Sequence, residues 1–398
     1  MKKLNKVELL APAGDLEKLK IALIYGADAV FIGGLRFSLR ARASNFTIKD
    51  IKEACEFAHK LNKKVYVTCN IVPRNSDLEG LKEYLMDLEK CKVDAIIVSS
   101  PVIIEVAKKY TNLEIHLSTQ MSVTNSSACL FFRDLGIKRV VLARELTLKE
   151  IEKIKKDTNM DLEVFIHGGM CASYSGRCTL SNNMTERDAN RGGCAHSCRW
   201  NYRLFDNEER ISEDEYFTMN SKDLCGISHI PDLLKIGVDS LKIEGRMKSL
   251  HYIATVCYSY RMIIDDYYNN CLKDFAYYEQ EILKAENRKT SVGFFEGLPT
   301  IYEQLYDSRS EIPTKEFVAQ VIDYDEVTHI ATLEQRNYFT KDDTLERMSP
   351  NTSVLKFNID NIYDKDMNVL DAARHPLQII KIETDVKLKK YDFIRKAK

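Results

Sequence analysis

Cys171, Cys178, Cys194, Cys198 and Cys225 share one stretch of the chain, with the spacing C-x6-C-x15-C-x3-C-x26-C. Thiols concentrated in this way can ligate a metal ion, hold an iron–sulfur cluster or supply a nucleophile. Structural zinc sites usually show two tight knuckles of about C-x2-4-C, and only Cys194 and Cys198 come that close. An iron–sulfur cluster asks for four thiolates and accepts varied spacing, so long loops suit it better. Zinc and unliganded thiols stay open as alternatives. Gly168, Gly169, Gly176, Gly192 and Gly193 flank the thiols. Glycine lets backbone approach a cluster and offer N–H groups to its sulfurs, and it also simply lets a loop turn. Peptide hydrolysis would need an activated nucleophile or a metal-bound water. Neither H-E-x-x-H nor G-x-S-x-G occurs, although His167 and His196 lie near the thiols and a Cys198–His196 pair stays open.

The elements that must position these thiols are legible up to about residue 247. Eight short runs recur: VELLAPA (7–13), DAVFIGG (28–34), KVYVTCN (64–70), DAIIVSS (94–100), EIHLSTQ (114–120), RVVLARE (139–145), LEVFIHGG (162–169) and SLKIEGR (240–246). They are almost continuously apolar, as strands buried on both faces of a parallel sheet must be. Amphipathic stretches such as 15–26, 48–62 and 78–91 separate them. Eight strands alternating with helices predict an α/β fold, a TIM-like (β/α)8 barrel. The doubly wound alternative lacks its phosphate loop, because APAGD follows the first strand where G-x-G-x-x-G would be needed. After the seventh strand, residues 171–228 intervene where about 2–6 would suffice. In a barrel such a loop lies on the catalytic face, so the thiols enter at its chemically active end. A polar stretch near 309–313 marks a boundary, giving a barrel unit over 1–312. Over 313–398 short, turn-bounded strands predict a small antiparallel β domain, barrel-like or a sandwich. The tail KLKKYDFIRKAK reads either as a basic patch or as a solvated, frayed end.

Polar residues at several strand ends suggest a shared pocket: Arg40 and Asn45, Asn70, then His116, Thr119 and Gln120, and finally Glu244, Arg246 and Lys248. Each alone is as readily a helix cap or a surface group. Arg40, Arg177 and Arg246 are candidate forks for carboxylates; Trp200 and Tyr174 are candidates to stack on a base. A net charge of −1 offers no broad attraction to nucleic acid, so any such binding must be local. The start MKKLNKVELLAPAG predicts neither a signal peptide nor an anchor, and no apolar run is long enough for a bilayer, so a cytoplasmic, membrane-free chain is expected. Reducing surroundings argue against disulfides among the eleven cysteines. Most of the six outside the cluster are expected in the core.

EVFIHGGMCASYSGRCTLS, with ELLAPAGDLEKLKIALIYGADAVFIGG, RARASNF, NRGGCAHSCRWNY, NSKDLCGI and IEGRMKS, resembles the collagenase-like peptidase family U32 over nearly the whole chain. Gly169 departs from the Ser or Ala expected there. The length and domain plan resemble the branch of tRNA hydroxylation proteins. The resemblance implies oxygen-independent 5-hydroxylation of the wobble uridine in the tRNA anticodon loop, with prephenate as co-substrate. It implies a [4Fe-4S] cluster on Cys171, Cys178, Cys194 and Cys225; the resemblance, and not the spacing, chooses Cys194 over Cys198 as third ligand, leaving Cys198 as a reserve thiol or neighbour. The substrate pocket would then use Arg40, Asn45, Gln120, Glu244 and Arg246, and an electron-delivery protein would be a further partner. A peptidase and a zinc-stabilised RNA-binding module are the competing readings.

Overall fold

The computed structural model describes residues 6–39, 45–285, 288–306 and 314–397. The eight apolar runs form β1 (Glu8–Pro12), β2 (Ala29–Gly33), β3 (Lys64–Cys69), β4 (Ala95–Val98), β5 (Glu114–Leu117), β6 (Arg139–Val141), β7 (Asp161–Gly168) and β8 (Ser240–Ile243). Each pairs in parallel with the next, and β8 pairs with both β7 and β1. The sheet is therefore a closed eight-stranded barrel.

Helices α1 (Leu16–Ile24), α2 (Ile48–Lys60), α3 (Leu81–Lys90), α4 (Pro101–Tyr110), α5 (Ser126–Asp134) and α6 (Leu148–Thr158) fill the crossovers. Several start where the sequence supplies a side-chain acceptor for the free N–H groups of the first turn. Asp15 accepts from Lys18 N, and Thr47 and Thr147 each complete a capping box. The insertion contains α7 (Leu180–Thr185); α8 (Ile230–Ile236) then leads into β8, and α9 (Leu250–Tyr268) closes the ring.

The barrel interior is not wholly apolar. Glu8 accepts from Arg139 at 2.5 Å, from Tyr66 Oη at 2.6 Å and from Ser240 Oγ at 2.9 Å. Glu163, fully buried, pairs with Lys242 Nζ at 2.6 Å and with Arg139 at 3.6 Å. Burial pushes the Glu163 carboxyl up, but Lys242, Arg139 and His116 outweigh it and hold it below its ordinary value.

The C-terminal part is an eight-stranded antiparallel sheet. Its longest strand, Lys315–Asp325, lies between Ile330–Gln335 and Phe393–Ala397. The end of the basic tail is thus not frayed, because Phe393–Ala397 also pairs with Leu345–Met348 and is interior to the sheet, while Lys387, Lys389 and Lys390 before it are exposed. Arg395, fully buried, bonds Glu281 at 2.8 Å and also Glu346. This domain shares a core with the barrel: Phe317, Met348 and Phe393 pack in the same cluster as the α9 residues Val256 and Tyr260. That contact explains why α9 is buried along most of its length.

His251 of α9 stacks on Phe317. Burial, and then the Arg395 guanidinium, push its imidazole down to about 3. Its ordinary value is about 6.5, so the unfolded chain takes up the proton first. The stability it contributes is fully present above about pH 6.5 and is lost as pH falls from there towards 3. Urea unfolding should therefore show a loss of up to about 1.4 kcal/mol per pH unit in that window, and His251→Asn should flatten it.

Of the six cysteines outside the cluster, Cys55, Cys69, Cys91, Cys129 and Cys257 are buried, and Cys271 is exposed. Among the described residues no helix is long and apolar enough to cross a membrane.

Candidate functional site

The C-terminal strand ends surround a cavity of about 300 Å³. Barrel side chains build one side of it: Phe31, Thr68, Ile97, Phe165 and Lys242. The insertion builds the other and brings Cys171, Cys178, Cys194 and Cys198 to the lining. Several contacts pin the insertion to the barrel rim. Glu145 accepts from Ser175 N at 2.7 Å, and Val72 N donates to the Asn190 carbonyl at 3.0 Å.

Cys171 and Cys194 are exposed, while Cys178 and Cys198 are half-buried. Cys178 receives the Leu180 N–H at 3.4 Å from sulfur. Burial pushes the Cys198 thiol up; Arg199 opposes this, and the neighbouring Cys171 and Cys194 add to it. Cys225 ends the short strand Asp223–Cys225, antiparallel to the end of β7. Its Sγ lies 3.9 Å from Tyr260 Oη, and it does not line the cavity. Among the described residues no three His, Cys, Asp or Glu side chains are grouped tightly enough for a single metal ion.

The polar candidates divide. Gln120, Glu244, Arg246 and Lys248 line the cavity, together with Asn70 and Thr119. The Asn70 amide donates to Gln120 Oε1 at 3.2 Å and its own Oδ1 accepts from Leu39 N at 3.2 Å, so the two amides form one polar rim. Arg246 donates to Ser38 Oγ at 3.0 Å and to the Leu39 carbonyl. Gly33 makes room for it, since a Cβ there would fall 1.8 Å from Arg246 Nη1. Asn45 lines neither this cavity nor the adjoining groove. Arg40 lies outside the described residues. His116 is not at the mouth; it is fully buried within β5, 2.8 Å from Glu114 and edge-on to Tyr66. Arg177 lines the groove rather than the cavity. Tyr174 and Trp200 are exposed and line neither, so the cavity's aromatic faces are Phe31 and Phe165.

Three further cavity residues are not among the candidates the sequence suggested. Lys242 reaches in between Phe31 and Phe165, with its ammonium 4.5 Å and 5.3 Å from their ring centres. Arg144 lies 4.2 Å over Phe165 and donates to the Gly169 carbonyl at 2.6 Å. Asp223, fully buried, pairs with Arg288 at 2.6 Å and Lys248 at 3.7 Å. The available signal was a lone charge inside the apolar run SLKI for Lys242 and the NSKDLCGI stretch for Asp223.

Fold and site together define a (β/α)8-barrel protein whose seventh loop carries thiols over a mixed apolar and cationic cavity. The sequence matches the model of peptidase family U32 over residues 14–304 and that family's C-terminal domain over 313–395. The chain belongs to peptidase family U32. It is 48% identical over 404 aligned residues to tRNA hydroxylation protein P1 of Bacillus subtilis, covering 99% of this chain and 96% of that protein. A 23S rRNA 5-hydroxycytidine synthase of Escherichia coli is 39% identical over 66% of this chain and 40% of its own length. A protein named collagenase from Porphyromonas gingivalis is 33% identical over 74% of this chain and 73% of its own.

Proposed function

We propose that this protein hydroxylates RNA at the barrel mouth. The observation that carries the reading is a cavity lined by four thiols in a chain so similar, end to end, to a tRNA hydroxylation protein. The finer reading is oxygen-independent 5-hydroxylation of the wobble uridine of tRNA, with prephenate as co-substrate, in the cytoplasm, served by an electron-delivery protein. A [4Fe-4S] cluster would be held by Cys171, Cys178, Cys194 and Cys225. The donor chemistry fits, since three of these thiols face one cavity and the Cys178 sulfur already receives a backbone N–H. Cys198 is the alternative fourth donor, because it lines the cavity and Cys225 does not. A zinc ion would need donors about 2.3 Å from one point, a grouping the described residues lack. Such a cluster supplies electrons to the reaction.

The chain's own residues do the rest. Phe31, Ile97 and Phe165 exclude water and offer a face to a pyrimidine. The Asn70–Gln120 amides present donors and acceptors to its edge. Arg246 and Lys248 meet the carboxylates of a co-substrate. The peptidase reading needs a thiol whose acidity is raised, whereas burial makes Cys198 less acidic.

Anaerobic purification and mass spectrometry of tRNA nucleosides from a deletion strain test the proposal. A brown protein with about 4 Fe per chain and loss of the 5-hydroxyuridine family of nucleosides are expected. Unchanged wobble uridines, or gelatin cleavage by iron-free protein, would overturn it. Gly33→Ala should displace Arg246 and lower hydroxylation by at least about tenfold while iron content stays constant, because a lost charge-assisted contact is worth about 1.5–3 kcal/mol.

A further inference from the structure

Beside the cavity lies a larger groove of about 710 Å³. One wall comes from the rim after β3, β4 and β5, including Asn70, Arg74, Ser99 and Gln120. The other comes from the insertion, including Arg177, Asn182, Asn190 and Arg191. Asn70, Gln120 and Cys178 line both spaces, so the groove opens into the cavity at the thiols.

Its chemistry is that of a single-stranded polynucleotide track: guanidinium groups for phosphates and amide or hydroxyl groups for base edges. Arg177 gives only Nε to the Gln120 carbonyl, at 2.7 Å, with a second contact to Met121 sulfur. It has no carboxylate partner among the described residues. Arg74 is 69% exposed and stands 3.7 Å from Asp188. Arg191 is held by Asp77 at 3.0 Å and 2.5 Å, which fixes it in the wall.

The other protruding part of the insertion has the opposite character. Residues 205–216 form a hairpin bearing six exposed carboxylates, among them Asp206, Glu208, Glu209 and Asp214, with Arg210 their single cation. It lines neither space, and it repels phosphate. The two parts of one loop thus impose a polarity on any RNA that approaches.

We propose that the RNA backbone lies in this groove along Arg74 and Arg177, and that one extruded base passes the Asn70–Gln120 amides into the cavity. This rests on the reading of the chain as an RNA-modifying protein. A cavity of about 300 Å³ admits a base or a small molecule but not a duplex, so the base must leave its stack, at least cost from a loop that is already single-stranded.

The test measures binding of a fluorescein-labelled, unmodified anticodon stem–loop RNA to the full-length protein by anisotropy, across a salt series. Arg74→Glu and Arg177→Glu should each weaken binding about tenfold. Each should also make the log–log salt slope shallower by about 0.7. The double variant Glu208→Gln/Glu209→Gln should bind as tightly as wild type or tighter. Iron content and thermal melting serve as folding controls, and Arg74→Glu changes an exposed side chain whose ion pair, with Asp188, is long at 3.7 Å. Cross-linking of a 4-thiouridine at the wobble position should fall on peptides containing Gln120 or Arg177. If wild type binds and both arginine variants bind equally well, the groove assignment falls while the RNA reading stands. If wild type binds no RNA at any salt concentration, both fall.

Discussion

Cys178→Ser protein, purified without oxygen, is expected to be colourless and to leave the wobble uridine unmodified. Serine keeps the shape and the local backbone, which Asn190 clamps by donating to the Cys178 carbonyl at 2.9 Å and accepting from its N–H. The substitution therefore removes the proposed soft ligand and little else. Loss of a ligand or its support typically costs about 10–100-fold in metal affinity or more, and loss of a cluster thiolate should bring hydroxylated nucleoside down at least that far. Cys55→Ser, in the core, should remain brown and active. The pair Cys198→Ser and Cys225→Ser identifies the fourth ligand, because only one of them should lose its iron. If Cys178→Ser keeps about 4 Fe per chain and full activity, the cluster assignment fails.

Glu163→Ala is expected to destabilise the chain by about 3–5 kcal/mol. Removing this carboxylate strands Lys242 as a buried cation inside the barrel and leaves Arg139 with Glu8 alone. Replacing Glu163 and Lys242 together by methionine should recover most of the loss, because an apolar pair of similar volume replaces a desolvated ion pair. Urea midpoints of the two single variants and the double variant make the cycle. Activity should not follow stability. The double variant should fold but react poorly, since Lys242 forms part of the cavity wall between Phe31 and Phe165. Strict additivity of the two single losses would remove the claimed coupling.

The barrel was legible in the sequence because strands buried on both faces must be apolar, and all eight runs became strands. The thiol loop was legible for a different reason: nothing in a barrel requires such a connection. The pocket was only partly legible. Gln120, Glu244 and Arg246 stand at strand ends, where position predicts the lining. His116, four residues earlier and of the same parity, lies deeper inside the barrel, edge-on to Tyr66 and close enough to Glu163 to help hold its charge, so it does not reach the mouth. Lys242 and Arg144 carry no motif, and their roles follow from closure of the ring, which a linear pattern does not contain. The end of the tail was not legible for a related reason. Lys389 and Lys390 are exposed as their type suggests, yet Phe393 and Ile394 after them are fully buried, because long-range pairing with Lys315–Asp325 makes this end a strand rather than a frayed terminus.

The seventh loop leaves β7 and returns to β8, and those two strands bond directly to each other. The ring is thus complete whether or not the loop holds anything. Loading of the proposed cluster would then follow folding, into a finished scaffold. If the proposed cluster is present, a molecule that loses it to oxidative damage should remain a repairable receptacle that is recharged rather than resynthesised.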